Sequence, residues 1–371
     1  MANKAYKFRL YPTQEQEQLL TKTFGCVRFV YNKMLAERME TYEKFKDNKE
    51  ILKKQKFPTP AKYKKEFPWL KEVDSLALAN AQINLQNAYK NFFEGRAEFP
   101  KFKSRKHKQS YTTNMVNGNI KLSNGHIKLP KFKKPIKMKQ HREIPTDYKI
   151  KSCTISKTKS GKYYISILTE YEKEMTPVNI QHVVGLDFAM DGLFVDSEEG
   201  KRANYPRFYR QALKKLAKEQ RILSRRKKGS NRWHKQRLKV AKLHERIANQ
   251  RKDFLHKESH KLAKLYDCVV IEDLNMKGMS QALNFGKSVA DHAWGMFTKF
   301  LQYKLEEQGK KLIKIDKWFP SSKTCSCCGQ VKESLSLSER IFHCDCGFVA
   351  DRDWNASINI KREGLRLLGL V

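Results

Sequence analysis

A net positive charge at every tenth residue limits this chain more than any single motif does: 76 Lys and Arg stand against 39 Asp and Glu, a formal net charge of +37 over 371 residues. A compact chain of that kind repels itself unless a polyanion neutralises it. A stretch of ~20 base pairs carries about 40 phosphates, so the excess suits a nucleic-acid duplex better than a nucleotide or an acidic peptide. The hydrophobic share of 40% is too high for a disordered basic tail. The length suits about two to four compact units.

No run of about 18 apolar residues is present, and the opening MANKAYKFRLYP has no signal-peptide core. The expectation is a cytoplasmic protein without a membrane partner. Of eight cysteines, Cys26, Cys153 and Cys268 are scattered, whereas Cys325, Cys327, Cys328, Cys344 and Cys346 share one segment. That distribution reads as a metal site in a reducing compartment rather than a disulfide framework. Cys325 and Cys328 have zinc-turn spacing; Cys344 and Cys346 are one residue closer, and His343 in place of Cys344 restores the spacing. A site closed by four protein ligands is structural, because no position is left for water.

Three carboxylates sit where apolar strands end or a helix begins: Asp187 in Val-Val-Gly-Leu-Asp-Phe, Glu272 in Val-Val-Ile-Glu-Asp-Leu, and Asp353 in Asp-Arg-Asp-Trp-Asn-Ala. Unpaired carboxylates are costly to bury. Two Mg²⁺ ions about 4 Å apart account for such a set and for phosphodiester cleavage; the alternative is that each carboxylate pairs with a nearby Lys or Arg. On a helix Asp351 and Asp353 point to nearly opposite faces, so one of the two can face the metals. Asp273 faces away from Glu272 if both lie on a strand.

Basic residues cluster at Arg225, Arg226, Lys227 and Lys228 and continue through Arg232 to Arg251, with Trp233 and other aromatics interleaved; an earlier cluster includes Lys103 and Arg105. This pattern predicts phosphate contact with occasional base stacking, against the alternative of a solvated helix face. Gly286-Lys287-Ser288 resembles the end of a phosphate-binding loop, but Gln281 occupies the position of its first glycine, so no NTPase is implied.

Tyr6, Phe8 and Leu10 alternate as in a half-buried strand, Thr13 and Gln16 form a capping-box signature, and apolar residues then recur at helical spacing towards Phe45. Residues 46–73 read as a Lys- and Pro-rich loop, residues 75–93 as a helix, and 150–156 with 163–169 as a hairpin. Beyond Thr176-Pro177 the pattern predicts strands at 183–188, 193–196, 268–273 and 311–316, long basic helices over 206–265, a helix near 291–308, and a closing helix near Asp353. The order suits a β-barrel with a helical insertion, followed by an RNase H-like α/β layer.

Arg28-Phe29-Val30-Tyr31-Asn32, the strand ending at Asp187, Arg221 to Lys228, Ile271-Glu272-Asp273-Leu274, Phe319-Pro320-Ser321-Ser322-Lys323 and Asp351-Arg352-Asp353-Trp354-Asn355-Ala356 together resemble TnpB (OrfB). This is the family of transposon-encoded RNA-guided DNA endonucleases related to type V CRISPR effectors. The resemblance implies a multidomain α+β chain: a wedge β-barrel (1–12 and 110–178) with a helical recognition insertion (13–109), then a RuvC nuclease domain (179–320 and 349–371) holding a zinc-binding module (321–348). It implies a catalytic triad of Asp187, Glu272 and Asp353 holding two Mg²⁺, and one Zn²⁺ on Cys325, Cys328, Cys344 and Cys346. It also implies a guide (omega-type) RNA, target double-stranded DNA and one protein chain per RNA. The competing readings are a nuclease-inactive RNA-guided repressor of the same fold and a cut-and-paste transposase, whose carboxylates usually run Asp, Asp, Glu.

Overall fold

The computed structural model describes residues 1–370 apart from 107, 175, 277, 279–292 and 337; Gly286-Lys287-Ser288 and the expected start of the helix near 291 lie outside the described residues. The chain forms two compact units, Met1–Lys173 and Glu174–Val371. No helix among the described residues is long and apolar enough to cross a membrane.

In the first unit β1 (Ala2–Tyr11) buries Tyr6, Phe8 and Leu10 on one face. The capping box closes the start of α1 (Gln14–Phe45): the Thr13 N–H donates to Gln16 Oε1 at 3.0 Å, and the Gln16 N–H to Thr13 Oγ1 at 3.4 Å. The Gln16 amide also donates to the carbonyls of Lys134 and Pro135 at 3.2 and 3.1 Å, fixing where the helix leaves the sheet.

The stretch 46–73 is not the expected loop. It holds α2 (Lys49–Lys54), α3 (Pro60–Glu66) and a 3₁₀ turn (Pro68–Glu72). Pro60 begins α3 and Pro68 begins the 3₁₀ turn, where a missing N–H costs nothing, and Tyr63 and Leu70 are buried, with the Tyr63 hydroxyl donating to Glu37 at 2.6 Å. Next, α4 (Ser75–Phe93) packs on α1.

Six further strands follow: β2 (Gln109–Asn114), β3 (Lys121–Ser123), β4 (His126–Lys128), β5 (Ile136–Lys139), β6 (Lys149–Lys157) and β7 (Tyr163–Tyr171). They join β1 in one antiparallel sheet, ordered β2-β6-β7-β1-β5-β4-β3. The sheet is a curled half-barrel rather than a closed one, with β2 and β3 left as edges. N-terminal β1 reaches the middle because it pairs with β7 on one side and β5 on the other.

The second unit is layered. Strands β8 (Val183–Phe188), β9 (Phe194–Asp196), β10 (Cys268–Glu272) and β11 (Lys311–Ile315) form a sheet ordered β11-β10-β8-β9. β8, β10 and β11 are parallel and β9 is antiparallel to β8. Near-continuous apolar runs are what a parallel strand covered on both faces requires. One face packs Val184, Leu186, Val269 and Ile271 against α6 (Asn231–Leu265) and α7 (Trp294–Glu306), including Leu255, Leu262, Phe297 and Leu301. The other packs Val183, Cys268, Val270 and Ile315 against Ile360 of α8 (Arg352–Leu367).

That second contact is unusually close. A Cβ on Gly185 would stand 2.2 Å from the Ser357 carbonyl oxygen, and one on Gly364 would stand 2.3 Å from Val270 Cγ2, so glycine on both partners lets α8 lie down on β8 and β10. The remaining elements are α5 (Phe208–Ser224) and a hairpin, β12 (Ile341–His343) with β13 (Val349–Asp351), which the sequence pattern does not predict.

Candidate functional site

Strand alternation puts Asp187 on the face of Gly185 and Glu272 on the face of Val270, which is the face α8 covers. The parallel register pairs Leu186 with Ile271, so Asp187 and Glu272 end neighbouring strands at the same edge. Asp353, in the first turn of α8, is buried at 7% exposure. The three carboxyls form one electrostatic cluster. Burial, then the charges of Glu272 and Asp353, hold the Asp187 carboxyl well above the ordinary range, with Arg352 opposing. Burial also raises Glu272, opposed by the Ser321 hydroxyl, which donates to Glu272 Oε1. Two buried carboxyls that resist ionising without a cation, with Asp353 beside them, offer oxygen donors of the kind Mg²⁺ takes.

The structure gives Asp351 and Asp353 different tasks. Asp351 is the exposed N-cap of α8, its Oδ1 accepting the N–H groups of Asp353 and Trp354, each at 3.0 Å. Asp353 lies inside, between Arg352, whose Nη2 is 3.2 Å from Oδ1, and Arg202, whose Nη1 is 3.1 Å from Oδ2. Asp273 is exposed, with Lys314 Nζ 3.1 Å away.

Arg202, like Ser321, is a site residue that sequence reasoning misses. It comes from a segment whose single bridge is to Val195, and Val195 is itself the partner of Asp187, so the three stand in one row across the sheet. Its guanidinium also donates to Asp191 at 2.6 Å and to Asp351 at 2.9 Å. One more arginine in so basic a chain carries no signal of its own.

The sulfurs of Cys325, Cys328, Cys344 and Cys346 all lie within 4.8 Å of one another, with 3.8 Å between Cys325 and Cys346 and 3.6 Å between Cys328 and Cys344. Zn–S bonds of about 2.3 Å put tetrahedral sulfurs about 3.8 Å apart, so the donor set fits zinc. Among the described residues the group includes neither Cys327 nor His343. Burial raises the Cys325 thiol, but the backbone N–H groups of Cys328 and Cys327 outweigh it and bring the pKa to about 7.

The two centres share one support. The amides of α8 grip the segment leading into the cysteine cluster: Asn355 donates to the Thr324 carbonyl at 2.8 Å and accepts the Ser326 N–H at 2.9 Å, and Asn359 donates to the carbonyls of Ser321 and Thr324 at 2.8 and 2.6 Å. Arg362 donates to the Ser326 carbonyl. The gripped segment therefore carries Ser321, bonded to Glu272, and Cys325, part of the sulfur cluster.

The basic candidates divide by position. Arg225, Arg226, Lys227 and Lys228 lie exposed between α5 and α6, and Arg232 is exposed on the first turn of α6. Trp233 is half-buried, and Arg251 turns its Nε to the Tyr205 hydroxyl at 3.3 Å. Arg105 is exposed. Lys103 departs from the expected outward contact: half-buried, with its pKa lowered by burial, it rests its ammonium 3.7 Å from the Tyr31 ring centroid while its backbone pairs with Asn32.

Residues 166–283 match the IS605 OrfB family, described as "Probable transposase"; residues 294–360 match the "Cas12f1-like, TNB domain"; and residues 1–47 match a "Helix-turn-helix domain". In this chain residues 1–47 form a strand and one continuous helix. A Streptomyces pristinaespiralis protein named "Putative RNA-guided DNA endonuclease" is 37% identical over 98% of this chain and 89% of its own length. The "Putative RNA-guided DNA endonuclease InsQ" of Escherichia coli (strain K12) is 33% identical over 98% of this chain and 93% of its own length. The protein in a cryo-EM structure of a Cas12f1–sgRNA–target DNA complex shares the fold, with a TM-score of 0.57 over 97% of this chain and 98% of that one, at 13% identity.

Proposed function

The chain belongs to the TnpB (OrfB) family associated with IS605-type insertion sequences, and from that premise we propose that it is an RNA-guided, Mg²⁺-dependent DNA endonuclease cutting target DNA beside a short flanking motif. The observation that carries the reading is the electrostatic clustering of Asp187, Glu272 and Asp353 where β8 and β10 end beneath α8, with the Asp187 carboxyl raised by burial and by its two neighbours and Glu272 raised by burial. In it the second unit is a RuvC-like nuclease domain (179–320 and 349–371), interrupted by a structural zinc module (321–348). Before it, a wedge β-barrel region (1–12 and 110–178) with a recognition insertion (13–109) takes up the first unit and the short stretch that follows it.

Asp187, Glu272 and Asp353 would hold two Mg²⁺ ions, which when bound stabilise the attacking and leaving oxygens of phosphodiester hydrolysis. The chain's own residues orient that set. Ser321 fixes the rotation of Glu272, α8 delivers Asp353 on its first turn, and Arg202 and Arg352 hold Asp353 from both sides. Cys325, Cys328, Cys344 and Cys346 would bind one Zn²⁺ that steadies the segment gripped by Asn355 and Asn359. The guide RNA would carry sequence information by base pairing, leaving the protein to hold RNA, heteroduplex and displaced strand by their backbones, one chain per RNA, in the cytoplasm. In this reading the recognition insertion and the wedge sheet read the flanking motif. In the second unit the exposed residues Arg225 to Lys228 and Arg232, with Trp233 and Arg251 further along the same helix, belong to the backbone-holding surface, and in the first unit exposed Arg105 would make a phosphate contact of its own, whereas Lys103 lies against Tyr31.

Cleavage of one matched duplex with cognate guide, scrambled guide and no guide, in Mg²⁺ at moderate salt where non-specific phosphate binding is weakened, tests the reading. Cutting with the cognate guide alone is expected, with mismatches near the flanking motif hurting most. Equal site-specific cutting in all three conditions would overturn guidance, and specific binding without cutting would move the protein to the repressor class.

A further inference from the structure

The segment that ties Glu272 to the cysteine cluster also exposes a large aromatic ring. β11 ends at Ile315, the register partner of Glu272, and the chain then turns tightly. The Trp318 N–H donates to Asp316 Oδ1 at 2.7 Å, and the Phe319 N–H donates to the Asp316 carbonyl at 3.1 Å. Phe319 packs into the core shared by Val183, Val270 and Ile360, and Ser321 bonds Glu272. Both ends of the turn are therefore anchored. Between them the Trp318 side chain is 80% exposed, more than any other large hydrophobic side chain among the described residues. A ring of this size ordinarily finds cover, and Trp294 and Trp354 in the same unit are buried and half-buried.

We propose that Trp318 is a stacking platform for an unpaired nucleobase of the DNA strand delivered to the Asp187–Glu272–Asp353 centre. The proposal rests on the endonuclease reading for the identity of that strand. Three features favour a base over another ligand. The backbone that carries the ring is anchored on both sides while the ring stays largely exposed, so stacking requires little ordering of the chain. It stands three residues from the serine that holds Glu272, so a base stacked on it belongs to a nucleotide near the scissile phosphate. Lys317 Nζ lies 4.9 Å from the ring centroid, adding a positive charge that suits the backbone of the same nucleotide. Paired bases hide their faces in the stack, so the site is specific for single strands and tolerant of sequence.

The test uses the full-length protein without guide or Mg²⁺ and a short oligothymidine as probe, at moderate salt. Fluorescence of the wild type should be quenched by the oligonucleotide, and the component lost in Trp318→Phe should account for most of that quenching. Affinity for the single strand should fall by about tenfold in Trp318→Leu and be largely kept in Trp318→Phe, because stacking on an aromatic ring contributes about that much per base. Affinity for a blunt duplex should be unchanged in both. Quenching that survives in Trp318→Phe, or equal loss for single strand and duplex in Trp318→Leu with unchanged melting temperature, overturns the proposal. Binding in this assay requires no cleavage, so its outcome is separate from that of the guide comparison.

Discussion

The Nη1 of Arg202 lies 3.1 Å from the Oδ2 of Asp353, so a side chain from the β9 edge holds the most buried carboxylate of the cluster. Its positive charge occupies ground that a divalent cation would share. Arg202→Gln should lower stability by about 1–2 kcal/mol in Mg²⁺-free buffer, as expected for a partly buried charge-assisted contact, and added Mg²⁺ should recover part of that loss. Thermal melts of both proteins with and without Mg²⁺ check this; an equal deficit in both buffers would mean that the arginine and the metal do not serve the same carboxylate.

If the carboxylates hold metals as proposed, Asp187→Ala, Glu272→Ala and Asp353→Ala should each abolish cleavage while guide and target binding stay largely intact. Asp351→Ala should cost about 1 kcal/mol through the lost cap of α8 yet keep cleavage. Gel-shift and cleavage assays side by side decide the register: activity in Asp353→Ala with none in Asp351→Ala would reverse it.

The raised Asp187 and Glu272 carboxyls make stability depend on pH. A carboxyl whose folded pKa exceeds its unfolded value favours folding while protonated, and that contribution is lost as pH rises through the folded value. Without Mg²⁺, Asp187→Asn should therefore be more stable than the wild type at about pH 8, with the gap closing towards about pH 4. Melting curves across that range test it, and a gap that widens on acidification contradicts the proposed repulsion.

One zinc per chain is expected by metal analysis. Ser in place of Cys325, Cys328, Cys344 or Cys346 should release it, whereas Cys327→Ser and His343→Ala should retain it. Zinc kept in Cys344→Ser and lost in His343→Ala would exchange those two ligands.

Where periodicity and caps agreed, the sequence was a good guide to local structure. Thr13 and Gln16 announce the start of α1, and the apolar spacing after Ser75 follows α4 to its end at Phe93. Proline misled over 46–73, because the same residue that breaks a helix inside begins one at its first turn. The hairpin of β12 and β13 is invisible because three-residue strands carry no period. At the candidate site, carboxylates after apolar runs are conspicuous in sequence, being anomalous there. Arg202 and Ser321 are not, since their roles come from a bridge between distant segments and from a turn after β11. Lys103 shows the converse: a residue prominent in a basic cluster whose ammonium lies against Tyr31.

The glycine contacts of α8 link assembly of the carboxylate cluster to the last stretch of the sequence. The 16 residues of this helix cover the bare faces of Gly185 and Val270 and also deliver Asp353. A polypeptide terminated before Arg352 has an uncovered sheet and two of the three carboxylates. On the endonuclease reading, truncated translation products would lack the third carboxylate together with the helix that seals this face of the sheet, so cleavage would be withheld until the chain is nearly synthesised.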